Sequence, residues 1–131
     1  MLTKEQFFAA GARRYDTVTV PTLGEVRIQS LTEPEKTAYY SDRHGADGKF
    51  LPEVFNERSP RLILLSVVGD DGQRIFSPDD LPALIALDAS VTEPIFVKAR
   101  RLSRIDEAAG EGDTETAKKP DSASDTASSG S

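Results

Sequence analysis

The chain has 131 residues, no cysteine and a formal net charge of −6 at pH 7. This length favours a single domain, and the absence of cysteine excludes disulfides, thiolate metal sites and thiol catalysis. The negative charge argues against a general nucleic-acid-binding protein, which needs an excess of Lys and Arg to neutralise phosphates.

The last part of the chain differs in composition from the rest. Residues 109–131 contain no aromatic residue, Leu, Ile or Val, and they carry 5 acidic and 2 basic side chains. So little apolar surface cannot offset the entropy lost on ordering, so we predict one domain over residues 1–108 and a disordered acidic tail over 109–131. The N-terminus lacks the apolar run of a secretion signal, and no stretch approaches the roughly 20 apolar residues of a membrane span. We therefore expect a soluble protein of the cytoplasm.

The first third of the chain predicts a short helix and a β-hairpin. Thr3 and Gln6 have the spacing of a capping box, and Gly11 is a suitable helix end. Apolar and polar residues then alternate over 15–20 and 25–30, joined by a corner that begins with proline and ends with glycine. We expect the polar residues of this alternation to point outward: Thr17, Thr19, Arg27 and Gln29.

Four further helices are predicted after the hairpin. They begin with the capping box of Thr32 and Glu35, with Ser59-Pro60 before a helix over 60–68, with Ser77-Pro78, and at about Thr92. The last helix is expected to end at Glu107. A tight turn is expected at 69–72 and an extended segment at 74–76. The residues expected to face inward from the last two helices are Leu81, Leu84, Ile85, Leu87, Ile95, Phe96, Ala99, Leu102 and Ile105.

These elements predict an α+β fold. A short N-terminal helix and a β-hairpin precede a bundle of about four helices with one short extended segment, and the disordered tail follows.

No group of residues has the pattern of a catalytic, cofactor or metal site. His44, the one histidine, lies in a glycine-containing loop without a recognisable nucleophile or orienting partner. Asp70 and Asp71 precede a glycine, but the spacing of a calcium-binding loop does not follow. Asp79 and Asp80 suit a helix start better than a shared catalytic site. We therefore expect a binding or assembly protein rather than an enzyme, without cofactor or metal.

A basic cluster on the last predicted helix is the one candidate binding site, formed by Lys98, Arg100, Arg101, Arg104 and the neighbouring Ile105. The cluster has two interpretations. The cations form a solvated face that suits the negative end of a helix, or they bind an acidic protein or a phosphate. The acidic tail directly behind would compete for the same patch.

The order of these elements, and particular residues within them, resembles the tail assembly chaperones of long-tailed bacteriophages. That family has a hairpin of the form Val-x-Val-Pro-x-x-Gly-x-Val-x-Ile/Val, here residues 18–28, followed by a Leu-Thr or Leu-Ser helix start, here Leu31 and Thr32. An apolar helix then ends in a turn like Asp-Asp-Gly-x-x-Ile/Leu-Phe, here residues 70–76. The likeness covers most of residues 3–108.

This resemblance implies a specific function. Such chaperones are non-catalytic; they coat the long, aggregation-prone tape measure protein, help to recruit tail tube subunits, and are absent from the finished virion. The coating role implies self-association. In many phages a ribosomal frameshift also yields a longer form that contacts the tube protein. Here Ala117, Lys118 and Lys119 could be encoded by a slippery heptamer, which is our hypothesis for a frameshift site.

Two other functions remain open at the sequence level. The first is a structural phage protein, such as a tail terminator or head–tail connector, that stays in the virion. The second is an acidic host-directed regulator or enzyme inhibitor.

Overall fold

A computed structural model describes residues 1–106 of the chain. The predicted disordered tail, the hypothetical frameshift site and the end of the predicted last helix at Glu107 lie outside the described residues. In chain order the elements are α1 (Lys4–Ala10), β1 (Tyr15–Val20), β2 (Gly24–Gln29), α2 (Glu33–Ser41), α3 (Pro52–Asn56), α4 (Arg58–Ser66), β3 (Val67–Val68), a 3₁₀ turn (Pro78–Asp80), α5 (Leu81–Ile85) and α6 (Ala89–Leu102). The predicted α+β class is confirmed.

The two predicted capping boxes begin α1 and α2. The backbone N–H of Thr3 donates to the Gln6 side chain at 2.9 Å, and the Gln6 N–H donates to the Thr3 hydroxyl at 3.1 Å. Thr32 and Glu35 exchange the same pair of bonds, at 2.8 and 3.4 Å. Each box satisfies amides that the first turn of a helix leaves without partners.

The predicted hairpin is also confirmed. β1 and β2 are antiparallel, with Tyr15 opposite Gln29 and Val20 opposite Gly24. Gly24 has a φ of +102°, a conformation that costs a glycine little because it has no Cβ. Ile28 and Val20 are completely buried, so the alternation places the apolar face of the hairpin against the core.

A third strand follows α4, where the sequence predicted a continuous helix over 60–68. α4 begins earlier, at Arg58, and ends at Ser66, and the next two residues pair antiparallel with β2. Val67 lies opposite Ile28, and Val68 lies opposite Arg27. The free edge of β2 offers backbone partners to these two β-branched residues, which favour extended structure. The short helix α3 was not predicted.

The last helix, predicted over 92–107, begins earlier and ends earlier: it ends at Leu102, so residues 103–106 are not helical. α6 begins at Ala89, because the Asp88 carboxylate accepts a hydrogen bond from the Ser90 N–H at 3.0 Å. Hydrogen bonds from the Ser90 hydroxyl and N–H hold the pKa of Asp88 below its ordinary value. Pro94 therefore lies inside the helix. A helix that began at the predicted Thr92 would have Pro94 in its first turn.

Three side chains do not face the predicted way. Gln29, expected to point outward, is 4% exposed, and its Nε2 donates to the carbonyl of Leu65 at 3.0 Å. Ile85 and Leu87, expected to face inward, are 43% and 44% exposed. α5 has only five residues, so it directs little more than Leu84 into the core.

The core lies where α6 packs across β1 and β2 and contacts α4 on its other side. Its buried residues come from every strand and from α2, α4, α5 and α6. They are Val20, Val26, Ile28, Tyr39, Leu62, Ile63, Leu64, Val67, Leu84, Ile95, Ala99 and Ile105. This packing fixes the C-terminal end of α6 beside the start of β1.

Candidate functional site

An open groove of about 720 Å³ lies between the start of β1 and the C-terminal end of α6. Five cationic and two acidic side chains line it, together with two apolar residues. The lining residues are Arg14, Asp16, Lys98, Arg100, Arg101, Leu102, Arg104, Ile105 and Asp106. We call this feature the basic groove. It contains every residue of the predicted basic cluster.

The chain adopts a Schellman motif at the end of α6, which directs the last cations into the basic groove. The N–H of Ile105 donates to the carbonyl of Arg100 at 2.9 Å, and the N–H of Arg104 donates to that of Arg101 at 3.2 Å. Arg104 has a φ of +57°, in the left-handed region where this motif usually has glycine.

Ile105 anchors the groove from below and does not present a binding surface. It was predicted as part of the binding cluster, but it is 5% exposed and belongs to the core. The same sequence reasoning expected it to face inward, and that expectation is confirmed. Ile105 follows Arg104, and its burial in the core holds the end of α6 against the sheet.

Hydrogen bonds join the chain before β1, the chain after β2 and the end of α6. The N–H of Arg14 donates to the Ser30 hydroxyl, and the Ser30 N–H donates to the Arg14 carbonyl, both at 2.8 Å. The Arg14 guanidinium also donates to the carbonyl of Leu102. On the other side, the N–H of Leu31 donates to the buried hydroxyl of Ser103 at 3.0 Å. The cationic side chains are therefore carried on a rigid frame.

Most of the positive charge in the groove is not neutralised within residues 1–106. Lys98 is the exception, because its Nζ lies 3.5 Å from a carboxylate oxygen of Asp16. Arg14, Arg100, Arg101 and Arg104 form no salt bridge with any described acidic residue. The Nε of Arg100 is buried and has no hydrogen-bond partner within the described part of the chain. This arrangement suits an anionic ligand with several carboxylates.

An apolar depression continues the groove along α6. It is lined by Val18, Pro94, Val97 and the acidic Glu93, and it shares Lys98 and Arg101 with the basic groove. Together the two features form a surface with an apolar stripe beside a row of cations. Such a surface matches an amphipathic segment with an acidic edge.

Arg14 is the member of the site that sequence reasoning missed. It lies 84 positions before Lys98 in the chain, and only the packing of α6 on β1 brings the two together. The adjacent pair Arg13-Arg14 before a predicted strand was the one available signal, and it does not by itself indicate which side chain joins α6.

Glu35, which does not line the basic groove, joins three separate segments of the fold through its carboxylate. Glu35 accepts hydrogen bonds from Arg13 at 2.9 Å, from Arg74 at 2.9 Å and from the N–H of Thr32 at 2.8 Å. Partial burial alone would raise the pKa of Glu35, but the hydrogen bonds from Arg13 and Thr32 and the Arg13 charge outweigh it. They hold that pKa below its ordinary value.

A second exposed feature is the N-terminal helix α1. None of its residues is buried, and Phe7 and Phe8 are 64% and 67% exposed. Large apolar side chains exposed side by side mark an interaction surface more often than an isolated apolar residue does. The apolar residues of β2, Val26 and Ile28, are by contrast buried.

The other residues considered for chemistry have structural roles. His44 is exposed, and its ring lies edge-on to Phe50 with a centroid distance of 5.8 Å. Gly72 has a φ of +79° in the predicted turn after β3. Asp80 accepts a hydrogen bond from the Ser77 N–H at 2.8 Å, as a helix-start residue does.

The described residues hold neither a metal-binding cluster nor a membrane-spanning helix. Residues 1–106 contain no group of three or more His, Cys, Asp or Glu side chains placed to hold a metal ion. None of the helices within this range has both the length and the apolar character needed to span a bilayer.

Comparison with known proteins identified no relative. No protein-family model matches the chain, and neither a curated protein nor a solved structure shows significant similarity to it.

Proposed function

We propose that this protein is a non-enzymatic tail assembly chaperone of a long-tailed bacteriophage. It binds the tape measure protein, keeps it soluble and helps to recruit tail tube subunits. The observation that carries the proposal is the basic groove with its apolar extension, a surface suited to a protein segment. The hairpin and turn motifs described above support the assignment to this family.

The shape and charge of the groove favour a protein partner over a small molecule. Small-molecule sites are concave, mostly apolar and enclose most of their ligand. Here the groove is open, five of its nine lining residues are cationic, and the apolar depression runs on from it. The proposed ligand is an amphipathic segment of the tape measure protein that has acidic residues along one side.

Repeated weak binding suits the coating of a long filament. Many copies placed side by side gain avidity, so no single groove has to bind tightly. We propose that neighbouring copies also associate through the exposed Phe7 and Phe8 of α1. A longer frameshifted form would supply the contact to the tail tube protein. The chaperone acts in the host cytoplasm and leaves before the virion is complete.

Co-expression with the tape measure protein of the same genome tests the proposal. We expect the tape measure protein to be insoluble when expressed alone, and to be soluble and co-purify with this protein when the two are expressed together. A tape measure protein that stays insoluble in the presence of this protein would contradict the chaperone function.

Mass spectrometry of purified virions separates the chaperone from a structural tail protein. A chaperone is present in the infected-cell lysate and absent from virions. Detection at a fixed stoichiometry in virions would identify a tail terminator or a connector instead.

A further inference from the structure

We propose that the acidic segment 107–116 of this chain occupies the basic groove in the free protein, so that a partner must displace it. The regulatory role of this contact rests on the proposed function. The intramolecular contact itself does not depend on that function. Two independent features support it: the charge of the groove and the place where the chain leaves the fold.

The described part of the chain ends in the groove. Ile105 is buried at the base of the groove, and Asp106 lines it. The next ten residues are EAAGEGDTET, which contain four carboxylates and no cationic side chain. Segment 107–116 is therefore tethered beside four arginines that form no salt bridge within residues 1–106.

The segment is long enough to cover the whole groove. Ten extended residues span up to about 33 Å. The helical part of the groove, from Lys98 to Leu102, is only about 6 Å long at 1.5 Å per residue. The segment contains only Glu, Asp, Ala, Gly and Thr, so no large side chain prevents it from lying along the cations.

Tethering makes this contact effective although each ion pair is weak. A directly attached segment has a local concentration of the order of millimolar, and closing so short a loop costs little entropy. Exposed ion pairs are screened by salt, so the contact weakens as ionic strength rises. A multivalent acidic partner can therefore displace the segment, whereas a singly charged one competes poorly.

Occupation of the groove by segment 107–116 would make binding of a partner depend on how well that partner competes. An acidic segment of the tape measure protein must compete with segment 107–116 for the same arginines. Its apparent affinity is lowered by the fraction of molecules in which the groove is already occupied. The contact would also prevent weakly acidic host proteins from occupying the groove.

Paramagnetic relaxation enhancement in the full-length protein tests the contact directly. The chain has no cysteine, so Thr116→Cys provides a single site for a nitroxide label. We expect loss of amide signal at low salt for residues 14–18 and 97–105. The hairpin turn around Leu23, at the opposite end of β1, should keep its signal. Raising the salt concentration to about 0.5 M should restore the part of the intensity that docking removes, because the Debye length then falls well below 10 Å.

A charge-neutral variant supplies the matched control. Glu107→Gln, Glu111→Gln, Asp113→Asn and Glu115→Gln keep the length and polarity of the segment and remove its charge. A label tethered this close to the groove causes some signal loss even without docking, so we expect the signal loss in this variant to be weaker than in the wild type and independent of salt. Equal signal loss in the charged and neutral segments, or signal loss in the charged segment that salt does not change, would overturn the proposal.

A binding measurement separates this inference from the proposed function. We expect the neutral variant to bind a poly-glutamate probe several-fold more tightly than the wild-type protein does at low salt. If the relaxation experiment shows docking while the tape measure protein fails to bind, the proposed function is wrong and the contact stands. If the tape measure protein binds and no docking is seen, only the contact is wrong.

Discussion

At the scale of single residues, Arg104 has a backbone conformation that favours a different amino acid. Its φ of +57° is the left-handed conformation at the end of a Schellman motif, which glycine adopts at little cost. A residue with a Cβ costs about 1–2 kcal/mol there. Arg104 also lines the basic groove, so its charge offers a functional reason for an unfavourable position.

Replacing this arginine should change stability and binding in opposite directions. We expect Arg104→Gly to raise the free energy of unfolding by about 1 kcal/mol, because the strain is relieved. The same variant should bind a poly-glutamate probe more weakly, because one cation is lost. Urea denaturation and a binding titration measure the two effects. Arg104→Ala is the control, since it loses the charge and keeps the strain; if Arg104→Gly is no more stable than Arg104→Ala, strain is absent.

Glu35 gives the fold a defined sensitivity to acid. Its folded pKa lies below its ordinary value of 4.5, so its ionised form stabilises the folded state. That contribution is complete above the unfolded value and decreases as the pH falls through the folded pKa. We expect Glu35→Gln to lower the free energy of unfolding at pH 7 by about 1–2 kcal/mol, a figure reduced for the partial exposure of its partners.

The test is urea denaturation between pH 7 and pH 3. The difference between the wild type and Glu35→Gln should be constant at neutral pH and should shrink below about pH 4.5. Glu33→Gln is the matched control, because Glu33 is exposed in the same helical turn and has no side-chain partner among residues 1–106. A difference that persists unchanged at pH 3 would show that the ionised carboxylate is not responsible.

At the scale of elements, α1 is attached to the domain without being packed into it. It has no buried residue, and its ring pair, Phe7 and Phe8, lies with centroids 6.0 Å apart in an edge-to-face arrangement on the surface. Its capping box explains why the helix forms at this place. Folding of the domain does not explain the two exposed rings, which is why we propose that they mediate association between copies.

Removing both rings should leave stability intact and reduce association. We expect Phe7→Ser with Phe8→Ser to change the free energy of unfolding by less than about 0.5 kcal/mol, as surface substitutions do. Leu62→Ala, at a fully buried position, should cost about 2–5 kcal/mol in the same assay. Sedimentation velocity should show less self-association for the double variant. Unchanged self-association would exclude α1 as the contact.

The elements that the sequence predicted well are those fixed by nearby residues. Thr3 with Gln6, and Thr32 with Glu35, satisfy backbone amides three positions away, so each pair determines a helix start without the rest of the molecule. The hairpin is similar, because its alternation and its glycine at positive φ are both local.

The structure predicted from sequence was wrong where contacts with residues distant in the chain determine the conformation. Val67 and Val68 follow an apolar helix without a break in pattern, and only the free edge of β2 draws them into a strand. The predicted start of α6 at about Thr92 was too late, because the helix begins at Ala89 after the capping residue Asp88. Gln29 occupies an outward position of the alternation, but α4 covers it.

At the scale of the whole molecule, half of the candidate site could be predicted from sequence. The cations of α6 lie within seven residues of one another, so their clustering was visible. Arg14 and the apolar depression were not, because both arise from the packing of α6 against β1. The basic patch predicted from the sequence is, in the folded protein, part of an open groove with an apolar extension.

We propose that this groove binds the tape measure protein, and reversing one charge within the groove tests that binding. Arg101 is exposed, lines both the groove and the apolar depression, and forms no salt bridge with a described residue. Lys49→Glu makes the same change of charge in the exposed loop after α2, where no described acidic residue pairs with that lysine.

The measurement is the amount of soluble tape measure protein that co-purifies with each variant after co-expression. We predict a large loss with Arg101→Glu and wild-type recovery with Lys49→Glu, with both variants as stable to urea as the wild type. Equal recovery with Arg101→Glu and Lys49→Glu would contradict binding in the groove, because the tape measure protein would then bind elsewhere.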